Sequence, residues 1–153
     1  MANKDYDDIS QLLLDLEKDV QKKVAKDVVE KIKDIEQDVI QEVVYNQYDP
    51  NFYIRRGVDG GLIDRDNMEE EIKNSKGGIE ISVTNKTKGN DHYGYAQGYT
   101  DGYIADIIET GIGYGYGLNI GERPFQETTQ NIIDLTDEID KVIEDGLSDW
   151  LNS

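Results

Sequence analysis

The sequence contains no cysteine, a single histidine, one tryptophan and two prolines among 153 residues. Without cysteine the chain can form no disulfides, use no thiol nucleophile and bind no metal through thiolates. His92 has no second ligand or nucleophile near it in the sequence, so we expect a solvated loop residue. No nucleophile–base pair stands at a recognisable spacing. The composition therefore favours a protein that is not an enzyme and that binds neither a cofactor nor a metal.

Basic residues are also scarce, since 16 lysines and arginines stand against 33 acidic residues, for a net charge of -17. This balance argues against a surface that holds phosphate groups through lysine and arginine contacts. A passage through which DNA moves without adhering remains compatible with it, because like charges repel. No apolar run approaches the ~20 residues that span a bilayer. The first ten residues lack the pattern of a signal peptide, so we expect no membrane partner.

The first third of the chain predicts one long helix, over about residues 8–46. Neither glycine nor proline occurs between Ala2 and Asp49, and apolar residues recur at steps of three or four. An unbroken helix would be roughly 57 Å long, more than a compact domain of this size is wide. Either part of it projects to meet another chain, or it kinks and folds back. We favour projection, and describe residues 1–47 as an arm and residues 48–153 as the core of a single domain.

The segment that follows combines aromatic residues with two arginines that are conspicuous in so acidic a chain. Asp49-Pro50 ends the long helix, because the residue before proline is disfavoured in the helical region. Arg55 and Arg56 then have two interpretations. They pair with nearby carboxylates or stack on tyrosines, or they act with Tyr53 as anchors of an interface between chains.

The clearest strand signal is the alternation of apolar and polar residues over 79–84. Before it, residues 62–73 are compatible with either a short helix or an extended link. Asp64, Asp66 and Asn67 superficially resemble a calcium-binding loop. The glycine and the glutamate that such a loop requires at its sixth and twelfth positions are missing, so we predict no metal site there.

Tyrosine and glycine dominate residues 89–121. This pairing is common in binding loops, where tyrosine gives rigid contact area and glycine gives adaptability. The loops could therefore stack on carbohydrate, pack on an adjacent subunit, or simply connect a short central element. Alternate glycines at 111–117 imitate a dinucleotide-binding fingerprint, but no helix starts at its third glycine, so we reject that match. The candidate loop contacts are Tyr93, Tyr95, Tyr99, Tyr103, Tyr114 and Tyr116.

The last part of the chain predicts a single helix from Pro124 to Trp150. Proline is favourable at the first helical position, and one apolar stripe runs through the segment. The opposite face is strongly acidic. It is either a solvated surface or, in part, the lining of a passage for DNA.

Taken in order, these features resemble the tail-completion, or neck, proteins that join head to tail in long-tailed double-stranded DNA bacteriophages. The resemblance covers residues 45–151: an aromatic-Pro-aromatic-Arg segment, the strand at 79–84, an Ala-x-x-x-Glu-x-Gly element and a final Arg-Pro-Phe before the last helix. Two features depart from the family. Gln126-Glu127-Thr128-Thr129 follows Arg-Pro-Phe in place of apolar residues, and the Gly/Tyr loops are longer. The resemblance assigns structural or interface roles to Tyr53, Arg55, Arg56, Glu109, Gly111, Arg123, Pro124 and Phe125.

The resemblance implies an α+β fold, in which a small antiparallel sheet with Gly/Tyr-rich loops supports a C-terminal helix. It also implies a structural virion protein that forms a homo-oligomeric ring of six-fold or twelve-fold symmetry. Its partners would be a head-completion or connector protein and a tail terminator or tail tube protein, with DNA as a passing, non-sequence-specific cargo. The location would be the virion neck, after assembly in the host cytoplasm. Glu109 would pair with Arg55, Arg56 or Arg123. The alternative is a carbohydrate- or cell-wall-binding module that uses the Gly/Tyr loops.

Overall fold

A computed structural model of the chain describes residues 9–47, 49, 55–75, 78–89, 103–112 and 120–152. The fold is α+β, as predicted: a long N-terminal helix and two C-terminal helices pack around an antiparallel hairpin. The elements are α1 (Ile9–Val39) with a π-helical extension (Ile40–Tyr45), a 3₁₀ turn (Arg65–Asn67), β1 (Met68–Ser75), β2 (Gly78–Asn85), α2 (Ala105–Thr110), α3 (Phe125–Leu135) and α4 (Glu138–Leu151).

The long helix predicted over residues 8–46 is confirmed from Ile9 to Tyr45. Its last turns are wider than α-helical turns, and the backbone N–H of Asn46 reaches back five residues to the carbonyl of Gln41, at 2.9 Å. Both Ile40 and Val44 of the π-helical extension are buried. The extension therefore carries α1 into the core at its C-terminal end.

The sheet of the described residues is a single hairpin, and its first strand differs from the sequence prediction. The strand predicted at 79–84 is β2, but residues 68–75 form β1 instead of a helix or a simple link. Three consecutive glutamates, Glu69 to Glu71, hide the alternation of β1. The strand forms because β2 supplies its partner, with Ile72 opposite Ile81 in an antiparallel register.

The prediction of one helix from Pro124 to Trp150 is wrong, because the segment is divided into α3 and α4. Thr136 has an extended backbone, with φ -115° and ψ 162°, which ends α3. The break allows α4 to run back along α1 in the opposite direction. Lys31 of α1 meets Glu138 at the start of α4 at 2.5 Å, and Gly146 lies against Val24.

The core lies at the C-terminal end of α1, where this helix meets the hairpin, α2 and the start of α3. Phe125 and Ile40 are completely buried there, and Met68 and Ala105 are 2% exposed. Burying a side chain such as Phe125 contributes about 1.5–3 kcal/mol to folding. The core thus joins the two segments that carry the family resemblance, at residues 105–111 and 123–125.

Candidate functional site

The side chain of Glu109 caps the N-terminus of α3 from a different helix. Pro124, the residue before α3, offers no side-chain hydrogen bond to the helix start. The two carboxylate oxygens of Glu109 accept hydrogen bonds instead, from the backbone N–H of Gln126 at 2.8 Å and of Glu127 at 2.9 Å. These are the N–H groups that a helix leaves unpaired, and a negative charge also suits the helix dipole. Glu109 therefore fixes α3 to α2.

A glycine contact holds the same two segments together on the backbone. Gly111 ends α2 in the left-handed region, with φ 69°, and its N–H bonds to the carbonyl of Ile107. A Cβ at this position would lie 2.6 Å from the backbone N of Glu122. The backbone N–H of Arg123 donates to the carbonyl of Ile108 at 2.9 Å. We call this arrangement of residues 107–111 with residues 121–127 the joint.

The joint unites the two motifs that the sequence placed 12 residues apart, from Gly111 to Arg123. Ala105, Ile108 and Phe125 belong to one buried cluster, so the apolar side of the joint is part of the core. The structure shows a partner for Glu109 that the sequence did not indicate, namely the backbone of α3. Pairing of Glu109 with an arginine stays a prediction.

The two arginines of the central segment make local contacts. The Arg55 guanidinium lies over the ring of Tyr45, 4.9 Å from its centroid. Arg56 donates to the carbonyl of Lys88 at 2.6 Å. Stacking on a tyrosine is thereby confirmed for Arg55. The role of both residues as interface anchors stays a prediction, and Tyr53 lies outside the described residues.

The predicted loop contacts fall largely outside the described residues. Tyr103 is within them, where it forms an isolated antiparallel bridge with Lys88 and lies beneath the ammonium group of Lys86 at 5.1 Å. The carbohydrate-binding alternative thus stays a prediction. The residues not described are Tyr93, Tyr95, Tyr99, Tyr114 and Tyr116.

The turn at residues 60–66 uses its acidic residues within the backbone. Asp64 accepts hydrogen bonds from the N–H of Gly60 at 2.6 Å and of Asp66 at 3.0 Å, and so caps the 3₁₀ turn. Throughout the described ranges, no three His, Cys, Asp or Glu side chains are grouped so that they could hold a metal ion. Among the helices described, none has the length and apolar character to cross a membrane.

Arg65 binds the outer face of α1 and forms an ion cluster there that was not predicted from the sequence. Its guanidinium donates to Asp34 at 2.5 Å, to Glu30 at 2.6 Å and to Gln37 at 2.9 Å. The spacing of Glu30, Asp34 and Gln37 along one helical face was a usable signal. The cluster attaches the start of the hairpin to α1.

A buried polar network lies beneath the hairpin, centred on Asn85 at the end of β2. Its Nδ2 donates to Glu36 Oε1 and to the carbonyl of Leu62, both at 2.9 Å. Its Oδ1 accepts from the Thr87 hydroxyl at 2.6 Å. Asn85, Thr87 and Glu36 are all nearly inaccessible to solvent. The network fixes α1, β2 and the loop at residue 62 to each other.

Glu36 also lines a cleft of about 230 Å³ between α1, β2 and α3. Burial raises the pKa of its carboxyl; the Asn85 hydrogen bond and Lys33 oppose that shift, and the charge of Glu109 adds to it. The ammonium group of Lys33 pairs with the carboxylate of Glu70 instead, at 2.7 Å. Sequence reasoning missed Glu36, although its position between Ile32 and Ile40, four residues from each, places a carboxylate in the apolar stripe of α1.

Comparison with protein families finds a match to one family model, YomN, over residues 8–149. The match spans all the helices and strands described above except the last two residues of α4. Comparisons with curated proteins and with solved structures find no match. Because the family model covers more than half of the chain, this protein belongs to the YomN family.

Proposed function

We propose that this protein is a structural component of the neck of a long-tailed double-stranded DNA bacteriophage. In this proposal copies assemble into a ring between the connector at the head and the terminator or tube of the tail. The ring lets DNA pass and performs no catalysis. The protein would assemble in the host cytoplasm and remain in the virion.

The observation that supports this function best is the joint. The resemblance to neck proteins depended on two separate motifs, Ala-x-x-x-Glu-x-Gly and Arg-Pro-Phe. In the structure they are two sides of one contact, in which Glu109 caps the helix that Phe125 begins. Two motifs that matched the neck proteins by chance would not be expected to contact each other. Their contact therefore supports the resemblance to neck proteins.

The exposed end of the two long helices supports assembly with other chains. Gly146 lies opposite Val24, and α4 ends five residues later. At ~1.5 Å per residue in both helices, about ten residues of α1 extend past α4, over roughly 15 Å. Leu14 in this extension is 53% exposed, and Leu151 at the end of α4 is 75% exposed. Apolar side chains collected at one end of a helix pair are typical of interfaces.

The charge of α3 and α4 suits a passage for DNA. Exposed acidic residues follow one another along both helices. Lys141, which pairs with Asp137, is the one basic residue among the many acidic residues of α3 and α4. A lumen lined by such a surface would repel the phosphates of DNA and keep them from binding.

The experiment is to locate the chain in phage particles. Mass spectrometry of purified virions, followed by reconstruction of the junction of head and tail, should place a ring of this chain at that junction. Particles made without the protein should accumulate as separate heads and tails. Adding the purified chain should restore joining and infectivity. Virions that lack the chain, or whose neck forms normally without it, would overturn the proposal.

A further inference from the structure

The open edge of β2 faces the cleft that Glu36 lines. The cleft touches Ile81, Ser82 and Val83 in succession. Consecutive strand residues point to opposite faces of a sheet, so a cavity that reaches all three must lie along the edge of the strand. The other edge of β2 is paired with β1. The cleft therefore runs beside the unpaired edge of the hairpin, between β2 and α3.

The ladder geometry shows which backbone groups this edge presents. The N–H of Lys86 bonds to the carbonyl of Asn67, which continues the register of β1 with β2. In an antiparallel ladder such hydrogen-bonded pairs alternate with pairs whose N–H and C=O point outward. Even-numbered residues of β2 therefore bond to β1, and Ile81 and Val83 direct their N–H and C=O groups outward. An edge of this kind is a template for an additional strand.

The floor of the cleft carries a carboxylate that no cation of the described residues binds. Glu36 is 4% exposed, and its Oε1 accepts from Asn85. Lys33, one turn away on α1, is bonded to Glu70 instead. No hydrogen bond within the described parts of the chain reaches Glu36 Oε2. A buried carboxylate in this state gains strongly from a hydrogen-bonded cation.

The size and charge of the site define its occupant. A volume of about 230 Å³ corresponds to roughly eight waters and is smaller than the sites that hold drug-sized ligands. It suits one or two side chains of a peptide. At this cleft, the Glu36 carboxylate and the net charge of -17 favour a basic partner over an acidic one.

We propose that the cleft binds an extended segment of a different, basic protein. The segment pairs with the outward N–H and C=O groups of Ile81 and Val83 as an added strand, and it places a lysine or arginine side chain against Glu36. This inference stands independently of the neck proposal, because it follows from the edge, the cleft and the carboxylate alone.

The test is selection of peptides from a random eight-residue display library on the full-length protein. Enriched peptides should share one lysine or arginine within an otherwise β-branched or aromatic pattern. Glu36→Gln keeps the shape and the hydrogen bond from Asn85 but removes the charge. It should weaken the selected peptides at least tenfold, and replacing their basic residue with norleucine should weaken binding to the native protein equally. Failure to enrich any peptide, or binding that Glu36→Gln leaves unchanged, would overturn the proposal.

A proline pair distinguishes the two edges of the hairpin. Val83→Pro removes an outward N–H at the cleft, whereas Ile72→Pro removes an outward N–H from the opposite edge, so neither breaks the ladder. Val83→Pro should abolish binding and Ile72→Pro should preserve it. In the native protein, bound peptide should slow hydrogen exchange of the Ile81 and Val83 amides. Absence of that protection would refute the added strand. If the purified protein were self-associated and the peptide dissociated it, the edge would bind a second copy of this chain and not a different protein.

Discussion

The two ends of α1 belong to one continuous helix but have opposite environments. Towards its C-terminus, Val29 is 1% exposed and Ile40 is fully buried against the hairpin and α3. Towards its N-terminus, Leu14 is 53% exposed, past the end of α4. The same apolar periodicity runs through both ends. The comparison shows that apolar periodicity predicts a helix but does not reveal whether the same chain covers its apolar stripe. We infer that the buried end of α1 stabilises the fold and that the exposed end serves assembly.

The largest effect on stability should come from Phe125→Ala, at the buried end. This change removes a completely buried ring and should lower the free energy of unfolding by about 3–5 kcal/mol. Urea denaturation of the purified chain measures it. Leu135→Ala on the same helix is the control, because Leu135 is 85% exposed and its loss should change stability by less than about 0.5 kcal/mol. Equal effects would contradict the assignment of the core.

The next largest effect should come from Gly111→Ala. Backbone strain alone should lower the free energy of unfolding by about 1–3 kcal/mol, and the contact with Glu122 should lower it further. Gly121→Ala provides the matched control. Gly121 also has a positive φ, of 81°, but nothing lies within 4 Å of the Cβ that alanine would add. Unfolding measurements on both variants separate the strain from the contact. If Gly121→Ala were the more harmful change, the close approach of the joint would be refuted.

Glu109→Ala should cost about 0.5–2 kcal/mol, the range for loss of a helix N-cap. Glu127→Ala removes the same charge from the first turn of α3 without removing the cap, so its effect should be smaller. Thermal unfolding monitored by circular dichroism compares the two. Equal losses would show that charge near the helix start, rather than the pair of hydrogen bonds, accounts for the role of Glu109.

Glu36→Gln should change the dependence of stability on pH. Burial raises the pKa of the Glu36 carboxyl in the folded chain, and the charge of Glu109 adds to this against Asn85 and Lys33. As pH rises from about 4, the Glu36 carboxyl loses its proton in the unfolded chain before it does so in the folded chain. The free energy of unfolding therefore falls with pH until the pH exceeds the pKa of Glu36 in the folded chain. The variant should therefore gain stability relative to the native chain over that window and keep a constant advantage above it. Parallel stability curves would contradict the buried carboxyl.

The smallest effect on stability, and the largest on assembly, should come from the exposed end. Replacing Leu14 and Leu16 by glutamine should alter the free energy of unfolding by less than about 0.5 kcal/mol each. It should nevertheless reduce the joining of heads and tails in complementation with purified protein. Leu135→Gln, which is exposed at the other end of the C-terminal helices, should leave joining intact. Normal joining by the Leu14 and Leu16 variant would remove the distinction between the two ends of α1.

The parts of the fold that the sequence predicts are those in which local pattern and tertiary contact agree. α1 and β2 follow from their apolar periods, and the start of α3 follows from Pro124 to within one residue. β1 could not be predicted because three glutamates replace its alternation and the strand depends on pairing with β2. The break at Thr136 was equally hidden, since neither glycine nor proline marks it. It exists because α4 packs on α1.

The candidate sites show the same limit. Arg123, Pro124 and Phe125 were selected as a motif, and the structure places them beside the Ala-x-x-x-Glu-x-Gly element. The cap formed by Glu109 could not be predicted, because its partners are backbone groups 17 and 18 residues away. Asn85 and Glu36 are 49 residues apart in the chain and are brought together by the meeting of β2 with α1. Contacts of this kind depend on tertiary arrangement, which a local pattern does not encode.

The joint has a consequence for how this family can vary in length. It holds both ends of the segment between Gly111 and Gly121 by backbone contacts and by the Glu109 carboxylate. Extra residues inserted between those ends would add closure entropy of only about 0.6 kcal/mol for each doubling of the segment. We therefore expect residues gained or lost between these two ends, or an affinity tag inserted there, to leave α2 in place relative to α3, because the contacts at both ends stay the same.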